Sequence, residues 1–124
     1  LRIKEGTRLD SVSKIITTAL KPFNLPVAEN LYEGKKDEYF TFNYADDSAG
    51  DTGDDEAQAY VAYMQIHYIC PMDKSYLRTK KLIRRALISA GFTPPSVQDV
   101  TDTADRLRHL VFECEIENEY EMED

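Results

Sequence analysis

The stretch that most constrains this chain is residues 56–70, EAQAYVAYMQIHYIC, followed by Pro71. It contains no Gly or Pro, is rich in Tyr, Val, Ile and Met, and is long for a strand. Read at period two, one face carries Ala57, Ala59, Val61, Tyr63, Gln65, His67 and Ile69. The other carries Gln58, Tyr60, Ala62, Met64, Ile66, Tyr68 and Cys70. Neither face is fully polar, the pattern of a strand central in its sheet or placed at a subunit contact. A helix fits less well, because Tyr and β-branched residues fall on every side of the cylinder and no cap precedes them. The stretch reads as the spine of a sheet.

The segments around it supply partners. Leu9, Val12, Ile15, Ile16, Ala19 and Leu20 recur at helical spacing, predicting a helix over 9–20 that Lys21-Pro22 ends, with Thr7 and Asp10 as a weak capping pair. Val27–Glu33 and Glu38–Tyr44 read as strands joined by the polar turn 34–37, a hairpin with Phe40, Phe42 and Tyr44 on one face. Asp73 is placed to cap a second helix over Lys74–Ala90, with Gly91 at its C′ position and Pro94-Pro95 beyond. Residues 96–106 are polar, with SVQDV as a short edge segment. Leu107–Glu117 alternates cleanly: Leu110, Phe112, Cys114 and Ile116 face a core, while Val111, Glu113, Glu115 and Glu117 face water or a partner. The expectation is one α+β domain spanning 1–124 in the order α-β-β-β-α-β, its mostly antiparallel sheet carrying two helices on one face. A mobile acidic loop at 45–56 and a frayed acidic tail at 118–124 complete it.

At 124 residues the chain can bury one real core, and 42% hydrophobic residues keep it outside the disordered range. No apolar run approaches the ~20 residues that span a membrane, and the opening LRIKEGTRLD holds no hydrophobic signal region. It also lacks an initiator Met, so trimming of the first residues is expected. A net charge of −8 disfavours general binding to a phosphate backbone. Two Cys do not make a disulfide framework, which points to a reducing cytoplasm.

Chemistry-bearing patterns are sparse. His67 lies near Cys70 and His109 near Cys114, but each pair has opposite strand parity, so zinc ligation within a pair is disfavoured and buried thiols are the default. The acidic loop fails the calcium-loop pattern in both registers tried, starting at Asp47 or at Asp51. GxSxG, a Gly-rich phosphate loop and HExxH are all absent. The expectation is a protein without cofactor or metal, and not an enzyme.

Charge is segregated instead. Lys74, Arg78, Lys80, Lys81, Arg84 and Arg85 crowd the second helix, and no acid occurs between Lys74 and Gln98. Six acids lie within 46–56, among them Asp46, Asp47, Asp51, Asp54 and Asp55, and seven within the last twelve residues. On a helical wheel Tyr76, Leu82, Ile83, Ala86, Leu87 and Ala90 form the buried stripe. Leu77 and Ile88 fall among the cations on the other side, where a solvated face has little use for two large aliphatics. Basic helix and acidic segments on one molecule suit head-to-tail contact between copies, which closes into rings. The candidate interface is therefore Leu77, Arg78, Lys81, Arg84, Arg85 and Ile88 against Asp46, Asp47, Asp51, Asp54 and Asp55.

AYVAYMQIHYICP (59–71), KKLIRRALISAGF (80–92) and HLVFECEIE (109–117) together resemble the small tail-completion or tail-terminator proteins of long-tailed bacteriophages and prophages. The resemblance spans roughly residues 27–117 and rests on structural patterns, not on catalytic signatures. It implies a homo-oligomeric ring, often a hexamer, at the head-proximal end of the tail tube. Such a ring stops polymerisation of the tube protein and presents a surface to the head connector. It implies a virion location at the head–tail junction after assembly in the host cytoplasm, no membrane, and DNA passing through the ring without specific binding. Head closure or another joining role is the neighbouring alternative. A non-viral module whose basic helix docks an acidic partner is the alternative from a different class.

Overall fold

The spine stretch becomes the centre of the sheet. A computed structural model describes residues 7–49 and 59–119. Its elements are α1 (Thr7–Leu20), a 3-10 turn (Lys21–Phe23), β1 (Val27–Glu29), β2 (Tyr39–Ala49), β3 (Ala59–Pro71), α2 (Leu77–Ser89), β4 (Ser96–Asp99), a second 3-10 turn (Thr103–Asp105) and β5 (Leu107–Glu119). The strands lie side by side as β1-β2-β3-β5-β4, with β3 in the middle. All pairings are antiparallel except β1 with β2, which is parallel. This is an α+β fold with a mixed five-stranded sheet.

Strand parity divides the sheet into two unlike faces. Ala62, Met64, Ile66, Tyr68 and Cys70 of β3 are buried, as are Phe40 and Phe42 of β2 and Leu110, Phe112, Cys114 and Ile116 of β5. Both helices cover this face: Val12, Ile16 and Leu20 of α1 and Ile83 and Leu87 of α2 join the same core. The opposite face, with Thr41, Asn43, Tyr63, Gln65, His67, His109, Glu113 and Glu115, has no described helix over it.

The end of α2 follows its sequence signal closely. The Phe92 amide donates to the Leu87 carbonyl and the Gly91 amide to that of Ile88, the paired bonds of a Schellman stop. Gly91 sits at φ 110°, a conformation that strains any residue with a Cβ. The buried Phe92 ring then anchors the exit from the helix to the core.

Several expectations need correction. Residues 27–33 do not form one arm of a hairpin. The strand stops at Glu29 because Asn30, whose amide makes a final ladder bond to the Phe42 carbonyl, turns left-handed (φ 69°) and throws Leu31 out to 67% exposure. Asp73 does not cap α2; it lies in a turn closed by the Lys74 amide on the Pro71 carbonyl, and the helix starts after Tyr76 with no side-chain cap. Leu82, expected in the buried stripe, is 38% exposed. Thr7 is the first residue of α1 and not a cap ahead of it. The expected loop at 45–56 is shorter than its composition suggested, because Ala45–Ala49 continue β2 against β3 as far as the pair Ala49 and Tyr60. Its remainder, with Asp51, Asp54 and Asp55, lies outside the described residues. Asn118 and Glu119 extend β5 instead of starting a frayed tail, and 120–124 again lie outside. SVQDV does supply an edge strand, β4.

Candidate functional site

Two surfaces on opposite sides of the molecule carry unusual chemistry. The first is the outward side of α2. Leu77 is 60% exposed and Ile88 43%, although both are large aliphatics. Eleven residues apart on a helix, they stand about 16 Å from each other on nearly the same line. Arg78, Lys81 and Arg85 are exposed around them and Arg84 is half-buried. Among the described residues, the ion pairs Lys74–Glu38 and Arg108–Asp99 leave these four cations unused. The predicted basic members of the site are thus brought together with the aliphatics.

The second surface is the face of the sheet that no described helix covers. Register places Asp46 opposite Tyr63 on β3, and Tyr63 opposite Glu115 on β5. Along the same strands, Val61 pairs with Glu117, and Gln65 with Glu113. Tyr63 is 37% exposed and Val61 half-buried, flanked by exposed Glu113 and Glu117 and half-buried Glu115. A bulge between Tyr44 and Asp46 sets this register; without it Ala45 would take that position. A groove of about 470 Å³ runs here past Tyr63, Gln65, Ser96, Glu113 and Glu115.

Farther along the face lies a hydrogen-bonded chain that the sequence reading missed. Gln65 Nε2 donates to Glu113 Oε2 at 2.9 Å, which turns Gln65 Oε1 towards Asn43 Nδ2 at 3.0 Å. Asn43 Oδ1 then faces His67 Nε2 at 2.8 Å, so that nitrogen must carry the proton. Neutral His67 is left with Nδ1 as an acceptor, and His109 Nε2–H donates to it across 2.8 Å. Every bond in the row points towards the Glu113 carboxylate, an arrangement in which each dipole strengthens the next.

This direction decides where a proton can go. Burial lowers the pKa of His67, and the charge of a protonated His109 lowers it further. Burial also lowers His109, against the opposing pull of Asp99 and Asp105. Only His109 has carboxylates in its favour, and it can take a proton on Nδ1 while still donating from Nε2. A second proton on His67 would set two N–H groups against each other. His109 is therefore the ring that takes a proton first. A cleft of about 670 Å³ opens over these rings, walled by Leu31 and Tyr32 on one side and by Val100 and Asp102 on the other.

The cysteines belong to the opposite face, as parity predicts. Cys70 pairs in register with Arg108, six residues along β5 from Cys114. That spacing is about 20 Å of strand, far beyond the ~7 Å that a disulfide tolerates. Both thiols are buried, and burial pushes Cys114 up to about 12. The signal for the histidine pair was available: both residues are odd-numbered on strands whose odd residues share the open face. What parity could not give was the register that makes them diagonal neighbours, His67 facing Val111 and His109 facing Ile69.

No protein family matches this chain by sequence, and no curated protein does. A solved structure is similar to it over 96% of this chain and 100% of its own, with a TM-score of 0.58 and 14% identity. At that identity the similarity shows a shared fold and nothing further.

Proposed function

We propose that this chain is a virion structural protein of a long-tailed bacteriophage or prophage: a tail terminator that assembles as a ring on the head-proximal end of the tail tube. It stops growth of the tube and joins the tail to the head, with its own copies, the tube protein and the head connector as partners. Its role is mechanical, with no catalysis and no cofactor.

The observation that carries this reading is the outward side of α2, where Leu77 and Ile88 stand in water among Arg78, Lys81, Arg84 and Arg85. A self-sufficient monomer gains nothing from such a surface, whereas a repeated subunit uses one on every copy. The acidic strands on the far side of the sheet supply the opposite charge. The patterns of 59–71, 80–92 and 109–117 that resemble tail-completion proteins fall on β3, α2 and β5, the elements that present both surfaces.

The test is mass in solution by light scattering, for the protein alone and with a tail-tube protein. A ring-sized species is expected on the tubes, together with tubes of limited length. A monomer that neither binds tubes nor changes their length overturns the proposal. Strong binding to an acidic protein or to DNA, abolished by salt, would favour the docking-module alternative instead.

A further inference from the structure

Resting on the ring reading above, we infer that α2 of one copy docks on the uncovered sheet face of the next, over β3 and β5 between Val61 and Gln65. The two surfaces have mirrored chemistry. On α2 an aliphatic line is bordered by Arg78, Lys81, Arg84 and Arg85. On the sheet an apolar line, Val61 and Tyr63, is bordered by Glu115 and Glu117 on β5.

Dimensions agree as well. From Val61 to Gln65 the strand advances about 14 Å. Leu77 and Ile88 are about 16 Å apart along their helix. One helix, about 10–12 Å wide with its side chains, covers roughly two strand spacings of 4.8 Å, which is the span from β2 to β5. The groove beside Tyr63 and Gln65 gives the aliphatics a recess.

Placement favours a head-to-tail contact over a closed pair. The helices cover one face of the sheet and the proposed acceptor is the other, so the two halves of the contact lie on opposite sides of each subunit. An isologous dimer would use one patch twice; here the contact is heterologous and each copy passes it on. The docked helix completes a layered arrangement, helix on both faces of the sheet, of which the described residues supply one side. His67 and His109 lie beside this footprint, joined to it through Gln65 and Glu113.

The experiment is a charge exchange between two full-length variants, read by light scattering with the tube protein present. One carries Glu115→Arg with Glu117→Arg; the other carries Arg84→Glu with Arg85→Glu. Circular dichroism first confirms that both fold. Each alone is expected to associate roughly tenfold more weakly or worse, because like charges then face each other. Mixed in equal amounts they are expected to regain assembly, since each variant's helix now meets the other's sheet. A sheet variant that assembles as the wild type does overturns this contact while leaving the ring reading intact. So does a mixture that stays apart although each variant is broken, because the two surfaces then have different partners. A wild type that never assembles, alone or with tubes, defeats the ring reading itself.

Discussion

Replacing Leu77 and Ile88 together by Ser removes the apolar part of the α2 contact and leaves its charges. The fold should be unaffected, because neither side chain belongs to the core and both lie near the helix ends, Leu77 at its first residue and Ile88 one before its last. The helix-propensity penalty there is a few tenths of a kcal/mol. The contact loses more. Full burial of such a side chain yields about 2.5 kcal/mol. Leu77 still has 60% of its surface to bury and Ile88 43%, so a docked helix gains roughly 1.5 and 1 kcal/mol from them. Their joint loss, about 2.5 kcal/mol, weakens each contact roughly 50- to 100-fold. Sedimentation or light scattering across a concentration series measures this, and circular dichroism controls for folding. An association constant within about threefold of wild type would refute the reasoning, since 1.4 kcal/mol already gives a factor of ten. The same series in high salt separates the two components: the aliphatic loss should not depend on salt, while that of Arg84→Glu with Arg85→Glu should.

Three further outcomes follow from the interior and the open face. The folded pKa values of His67 and His109 lie below the ordinary 6.5, so the unfolded chain binds more protons just below that value. Stability is then complete above pH 6.5 and falls as pH drops through the lowered values; a His67→Gln variant should show a flatter fall in thermal-melt midpoint, and an unchanged slope would refute the linkage. The Tyr68 hydroxyl donates to Glu38 at 2.5 Å, and Tyr68→Phe should cost about 1.5–3 kcal/mol by denaturant titration, whereas a loss under 0.5 kcal/mol would mean that water replaces the bond. Burial holds the thiols of Cys70 and Cys114 in the protonated form, so a thiol reagent at neutral pH should label them only as fast as the chain opens, and rapid labelling of the native protein would contradict their placement.

Much of the architecture was legible because it depends on periodicity. The parity of β3 and β5 placed Met64, Ile66, Tyr68, Phe112 and Cys114 on one face, and all are buried there. Gly91 marked the end of α2 because only a left-handed residue closes that stop. What failed depends on backbone events at single residues. Alternation across 27–33 suggested a longer strand, but Asn30 leaves the extended region and ends it. Leu82 matched the buried stripe on an ideal wheel, yet the sheet beneath α2 is met by Ile83 and Leu87, and the residue before Ile83 is left at the rim. The acid-rich composition of 45–56 hid a strand end, since Asp46 and Asp47 continue the ladder in register with Tyr63 and Ala62.

The site shows the same division. Which residues share a surface could be read from spacing: the cations with Leu77 and Ile88 on α2, the glutamates of β5 on the face away from the core. Which residues touch could not. The row from His109 to Glu113 exists because β2, β3 and β5 pair in one register, and sliding β5 by two residues would keep every side chain on its face while separating the two imidazoles. The Tyr44/Asp46 bulge acts in the same way, choosing Asp46 over Ala45 to stand opposite Tyr63. Because β3 is half apolar on both faces, it can serve two packing layers at once. One layer is the chain's own core. The other, if the charge exchange restores assembly, is the helix of the next subunit, and the ambiguity of the 56–70 stretch is then the sequence signature of a strand shared between a fold and an assembly.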